Sequence, residues 1–353
     1  MWMFSLSVIY SILWLFAATF SGQTTPGQPE KKPTTKQLTL TETVKTNELV
    51  TDIIPPMHCD DGGNLYIKSD PYGVSGIHKL NAKGQSAGSF LPTVVTDERI
   101  SMAYYFNLGV QGDVYQLAQG QSPRPFVIHF NGDGSYRGRI KLQTGFPWQP
   151  ASLAVFPGSD NLLVAGQKYD EDRSAAKWPF TGIFSPDGTL LKEIKFEDDD
   201  AVHEMGVKSD SRVTNLRVPT INRALALSQM QAADDGNVYV MRWLSPAIFY
   251  AVSPGGEVVR RFEIDPGDQG YVPMAVHMSG QRIAVQFYQS QTKEMLLRVV
   301  DLRGNKVADY LIRRPKSADL RGEFACYLNA PERFVFLETS DDSKLEIKVA
   351  QPR

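Results

Sequence analysis

From residue 37 onward the chain is written in short runs of apolar and polar residues, broken every few positions by Gly, Asn, Asp or Pro. Asp61-Gly-Gly-Asn-Leu-Tyr-Ile67 is followed by Ile77-His-Lys-Leu-Asn-Ala-Lys-Gly84. Gly112-Asp-Val-Tyr-Gln116 is followed by Val127-Ile-His-Phe-Asn-Gly-Asp-Gly134, and Asp235-Gly-Asn-Val-Tyr-Val240 by Ile248-Phe-Tyr-Ala-Val-Ser-Pro-Gly-Gly256. Each copy reads as turn, strand, loop, strand, turn. Taking the centre of each such strand as a marker gives Tyr66, Tyr115, Leu163, Tyr239, Ile283 and Phe334, at intervals of 49, 48, 76, 44 and 51. A period of this size is the mark of a repeat architecture.

A second signature follows the markers. Asn81-Ala-Lys-Gly84, Asn131-Gly-Asp-Gly134, Ser185-Pro-Asp-Gly188, Ser253-Pro-Gly-Gly256 and Asp301-Leu-Arg-Gly304 share Asn, Ser or Asp first and Gly fourth. That is β-turn chemistry: a short polar side chain bonds the backbone and Gly takes the open φ. The flanking residues are aliphatic or β-branched, so each turn closes a hairpin. Each unit therefore holds four antiparallel strands. The chain is all-β, a six-bladed β-propeller of four-stranded blades over 37–353. The sixth unit is one strand short, and Gln37-Leu-Thr-Leu-Thr-Glu-Thr-Val44 alternates without a unit of its own. This N-terminal strand is expected to join the last blade and close the ring, because an open ring leaves a sheet edge in water.

The Gly-Asn-hydrophobic-Tyr-hydrophobic core, at Gly63-Asn-Leu-Tyr-Ile67 and Gly236-Asn-Val-Tyr-Val240, resembles the NHL-repeat-like and TolB-like six-bladed propellers. Only Asp70 keeps the Asp that usually follows the marker strand in NHL repeats. The resemblance implies an architecture rather than a chemistry. It also implies where chemistry would sit if the protein were an enzyme: at the mouth of the central channel, around side chains of the innermost strands.

Those strands fall near 57–59, 104–108, 153–156, 229–232, 274–277 and 324–328, and they hold His58 and His277. The 76-residue interval contains an insertion at about 197–223, with Glu197-Asp-Asp-Asp200, His203 and Glu204. His58, His277, His203 and Glu204 are the candidate catalytic set for a channel-mouth hydrolase or lyase. A divalent metal in or near the channel would need His and carboxylate ligands from several strands. No His-x-His, HExxH or CxxC spacing supports one, and no Gly-x-Ser-x-Gly elbow is present. The acidic run reads as a solvated loop. His78 and His129 read as blade-surface residues. Trp148, Trp178 and Tyr105 are candidate contacts for a partner, since exposed aromatics anchor interfaces.

Charge and address narrow the function further. The 353 residues carry a formal net charge of -2, so no basic field attracts nucleic acid. Met1 to Phe20 is almost wholly apolar, closes on Ala17-Ala-Thr-Phe-Ser-Gly22, and precedes the first charged side chain, Glu30. Residues 1–21 have the shape of a secretory signal peptide, an uncleaved anchor being the alternative. Residues 22–36, rich in Pro, Thr, Gly and Lys, form a linker. The expected address is extracytoplasmic, periplasmic or secreted. Cys59 and Cys326 leave two readings, a disulfide or two buried thiols, the thiols being preferred here. The reading that results is an extracytoplasmic propeller that binds a protein, peptide or glycan, through the face bearing the insertion, without a cofactor.

Overall fold

The protein is described by a computed structural model covering residues 35–49, 53, 56–68, 74–95, 99–121, 124–169, 178–210, 229–267, 270–313 and 322–353. The signal-peptide segment, nearly all of the linker, Asp70 and the later part of the insertion lie outside the described residues.

Six four-stranded antiparallel sheets form the blades. Blade one is β2 (His58–Cys59), β3 (Leu65–Lys68), β4 (Ile77–Leu80) and β5 (Ser86–Phe90). Blade two is β6 (Ile100–Leu108), β7 (Val114–Gly120), β8 (Pro125–Phe130) and β9 (Tyr136–Lys141). Blade three is β10 (Trp148–Val155), β11 (Leu162–Lys168), β12 (Trp178–Phe184) and β13 (Leu190–Ile194). Blade four is β14 (Met230–Ala232), β15 (Val238–Arg242), β16 (Ala247–Val252) and β17 (Val258–Ile264). Blade five is β18 (Tyr271–Ser279), β19 (Arg282–Gln289), β20 (Glu294–Asp301) and β21 (Lys306–Arg313). Blade six is β22 (Glu323–Asn329), β23 (Glu332–Thr339) and β24 (Lys344–Pro352), completed by β1 (Leu38–Leu49).

The N-terminal strand closes the ring as the alternation of residues 37–44 predicts. β1 runs antiparallel to β24, pairing Leu38 with Pro352 and Val44 with Ile347. Its apolar side chains enter two different cores: Leu38 and Leu40 face blade five, and Val44 faces blade one.

The packing shows why six units make one ring. The described residues form six hydrophobic clusters, and each is shared by two successive blades. Phe90 and Phe130 join blades one and two, Leu142 and Phe184 join two and three, and Phe156 and Tyr250 join three and four. Phe249 and Phe287 join four and five, Tyr310 and Phe334 join five and six, and Leu337 and Leu80 join six and one. A blade has two faces to bury, and its neighbours cover both.

The repeated motif is part of this packing. The Tyr66 hydroxyl donates to Asp60 at 3.2 Å, and the Tyr239 hydroxyl donates to Asp235 at 2.9 Å. The acidic residue ahead of each Gly-Asn step thus satisfies the phenol at the centre of the second strand. Burial, reinforced by these carboxylates, holds both phenols above their usual range. At the hairpin Gly188 has φ +89°, and a Cβ there would overlap the Lys141 carbonyl of the preceding blade. Gly is required by conformation and by contact.

The insertion opens as a helix, α1 (Asp199–Asp210), where the acidic run reads as a loop. Two forces make the difference. Asp199 and Asp200 in the first turn complement the helix dipole. Asp198 and Asp199 also pair with Arg242 of β15, whose side chain is wholly buried and lies over the Phe196 ring, 4.5 Å from its centroid. The acidic run is therefore a tether to blade four rather than a solvated loop. Among the described residues no helix is long and apolar enough to cross a membrane.

Candidate functional site

The innermost strands β2, β6, β10, β14, β18 and β22 carry polar residues among apolar ones, and these side chains reach across to the next blade. His58 Nε2 donates to the Phe106 carbonyl at 3.0 Å, linking blade one to blade two. Asn107 Nδ2 donates to the carbonyls of Leu153 and Met230, both at 2.9 Å, linking blade two to three and four. Gln229 donates to the Met274 carbonyl at 3.2 Å and accepts from Val276 N at 3.0 Å. Gln231 accepts from Met278 N at 2.7 Å, so blade four holds blade five twice. His277 Nε2 donates to the Phe324 carbonyl at 3.2 Å, linking five to six.

A covalent bond supplies the last link. Cys59 of β2 and Cys326 of β22 form a disulfide with Cα atoms 5.7 Å apart. This geometry replaces the thiol reading. In a closed ring the first and last blades are neighbours, and their innermost strands come within disulfide reach.

Above these links lies a cavity of about 540 Å³, within the range of small-ligand sites. Its lining includes His58, Asn107, Gln231 and His277, with Asp60, Asp61 and Asp234 at the turns above them. Apolar wall comes from Leu108, Val110, Val155 and Met278. The cavity opens at the end of the ring where each innermost strand turns into the second, at residues 60–62, 109–112, 233–234 and 279–280.

The protonation of the two histidines follows from their partners. A carbonyl only accepts, so each Nε2 carries the proton and each Nδ1 is an acceptor. Burial lowers the His58 pKa to about 4, against the pull of its bond to Phe106. Burial, with a further push from nearby His58, lowers that of His277 to about 3. Both rings are neutral at pH 7. Gln231 Nε2 stands 3.5 Å from His58 Nδ1 across the channel. Among the described residues no hydrogen bond reaches His277 Nδ1, and that acceptor is left to the cavity.

The candidate catalytic set does not assemble. His58 and His277 share the cavity, but His203 and Glu204 stand on α1, and α1 packs beside β12. Chain direction puts α1 at the other end of the ring. It follows the end of β13, the outermost strand of blade three, whereas the cavity opens where the innermost strands end. His203 stacks on Trp178 with ring centroids 3.7 Å apart. Among the described residues no three His, Cys, Asp or Glu side chains are grouped to hold a metal ion.

The aromatic candidates divide. Trp178 is 43% exposed, as a contact residue would be. Trp148 is buried, stacked on Phe184 and edge-on to Phe180, and Tyr105 is buried in the same cluster. Both fill the junction of blades two and three, and neither offers a surface to a partner. His129 is likewise buried, stacked on Tyr115 and bonded to Asp113 at 3.1 Å, rather than set on the blade surface. Asn107, Gln229 and Gln231 escaped the sequence reading. Their signal was present as polar residues inside apolar innermost strands, with partners about one repeat away along the chain.

No protein-family model matches the chain, and no curated protein matches it. Solved structures do resemble it. A protein of unknown function from Bacteroides caccae is 12% identical over 72% of this chain and 80% of its own, with a TM-score of 0.43. BBS1N, solved in complex with ARL6DN, is 12% identical over 89% of this chain and 97% of its own, also at 0.43. A eukaryotic initiation factor is 8% identical over 74% of this chain and 55% of its own, at 0.34. The six-bladed architecture that the resemblance implies is present, and no match to an NHL or TolB family accompanies it.

Proposed function

We propose that this chain is an extracytoplasmic binding propeller that receives its ligand at the mouth of the central channel. The cavity over His58, Asn107, Gln231 and His277 is the observation that carries the reading. Three of these four side chains spend their donors on neighbouring blades, and Gln231 turns its amide toward His58. They are locked in place, which favours recognition, because little ordering entropy remains to be lost on binding. An activated nucleophile or a matched acid–base pair would need groups poised near neutral pH, and both histidines are held far below it. The disulfide supports an oxidising compartment, since such bonds persist outside the reducing cytosol. The ligand is a protein, a peptide or a glycan.

The test compares the two ends of the ring. Purified protein is screened against peptide and glycan arrays, and hits are repeated with Val110→Trp, which plugs the mouth, and with Trp178→Ala, which alters the insertion end. Hits lost with Val110→Trp and kept with Trp178→Ala support the channel mouth. The reverse pattern moves the binding face to the insertion.

A further inference from the structure

We infer that the group received at the channel mouth is a cation, an ammonium or guanidinium carried on an aliphatic stem. This rests on the channel-mouth reading above.

Four features converge on that chemistry. First, the turns between first and second strands carry Asp60, Asp61, Asp113, Asp160, Asp234 and Asp235 and no Lys or Arg, in a chain whose net charge is only -2. No Lys or Arg lines the cavity among the described residues. Second, three of these six carboxylates are committed. Asp60 binds Asn64 and Tyr66, Asp113 binds His129 and Arg137, and Asp235 binds Tyr239. Asp61 and Asp234 are different. Both are exposed, both line the cavity, and among the described residues neither has a hydrogen-bond or ion-pair partner.

Third, the floor holds an open acceptor. His277 is 4% exposed and lines the cavity, with its one proton spent on Phe324 and its Nδ1 unengaged. Asn107 gives its amide protons to Leu153 and Met230, and its oxygen takes the Leu108 N–H. A phosphate or carboxylate entering here would meet like charge at the rim and the His277 Nδ1 lone pair below. An ammonium or guanidinium would meet carboxylates at the rim and that lone pair below. Fourth, Leu108, Val110, Val155 and Met278 offer apolar wall to a methylene stem. A lysine or arginine side chain and a free polyamine share this chemistry.

Calorimetry with the purified full chain at pH 7 and low salt separates the outcomes, using hexa-arginine, hexa-lysine, spermidine and hexa-glutamate as probes. The inference predicts saturable binding of at least one cationic probe and none of hexa-glutamate. It further predicts at least tenfold weaker binding with Asp61→Asn/Asp234→Asn. Asp341→Asn/Asp342→Asn, in the turn of blade six at the opposite end of the ring, should leave binding within twofold. Peptide binding without spermidine binding assigns the cation to a partner protein; spermidine binding of equal strength assigns it to a free amine. Absence of saturable binding by every cationic probe overturns the inference, as does equal weakening by the two double variants. If array hits without positive charge are lost with Val110→Trp while the cationic probes fail, this inference falls and the channel-mouth reading stands.

Discussion

Cys59 and Cys326 lie 267 positions apart in the chain, yet their Cα atoms are 5.7 Å apart and their sulfurs are bonded. The bond joins the innermost strands of the first and last blades. Within blade six, β1 from the start of the chain pairs with β24 from its end. The ring is thus closed twice, by the disulfide between blades six and one and by this strand ladder inside blade six.

A disulfide closing so long a loop removes much freedom from the unfolded chain, about 2–5 kcal/mol on the usual scale. Cys59→Ala/Cys326→Ala should therefore lower the free energy of denaturant unfolding by about that amount. Reductant should do the same to the native protein and nothing to the variant. Two titratable thiols in the unfolded, unreduced protein would contradict the bond.

Arg242 is the largest wholly buried side chain among the described residues, and it holds Asp198 at 3.3 Å. Arg242→Leu leaves a buried carboxylate without its cation, a loss of about 3–5 kcal/mol. Adding Asp198→Asn should restore part of the loss, and a double-mutant cycle in urea measures the coupling. Additive effects of the two substitutions would show that the pair does not act as a unit.

The neutral histidines give a pH dependence of definite sign. Unfolded, each titrates at the ordinary imidazole value of 6.5; folded, burial holds His58 down at about 4 and His277 at about 3. Between these values the unfolded chain binds more protons, so stability falls as pH falls. The contribution is complete above pH 6.5 and is lost progressively toward pH 4 and then 3, at roughly 3 kcal/mol for His58 alone. His58→Gln/His277→Gln should flatten the dependence of the urea midpoint between pH 7 and 4. An unchanged slope would assign the acid sensitivity to other groups.

The fold was legible because each blade repeats the same local problem. The Asp-Gly-Asn-Val-Tyr wording at Asp235–Tyr239 carries its own turn, strand and phenol partner within five residues. The closing strand was legible as an alternating stretch without a unit. What stayed hidden depends on partners far along the chain. Asp199 meets Arg242 after 43 residues, and nothing local in the acidic run marks it as a tether. Trp148 stood among prolines and looked exposed, but Phe180 and Phe184, more than thirty residues on, bury it. His58 and His277 could be placed on innermost strands, yet their tautomers follow only from the Phe106 and Phe324 carbonyls.

Hydrogen–deuterium exchange with hexa-arginine tests the central claim most directly, because it reports which end of the ring a cation occupies. The account predicts added protection at the turns 60–62, 109–112, 233–234 and 279–280, with exchange at 178–184 and 199–210 unchanged. Protection confined to 178–184 and 199–210, with the channel-mouth turns unaffected, would contradict it.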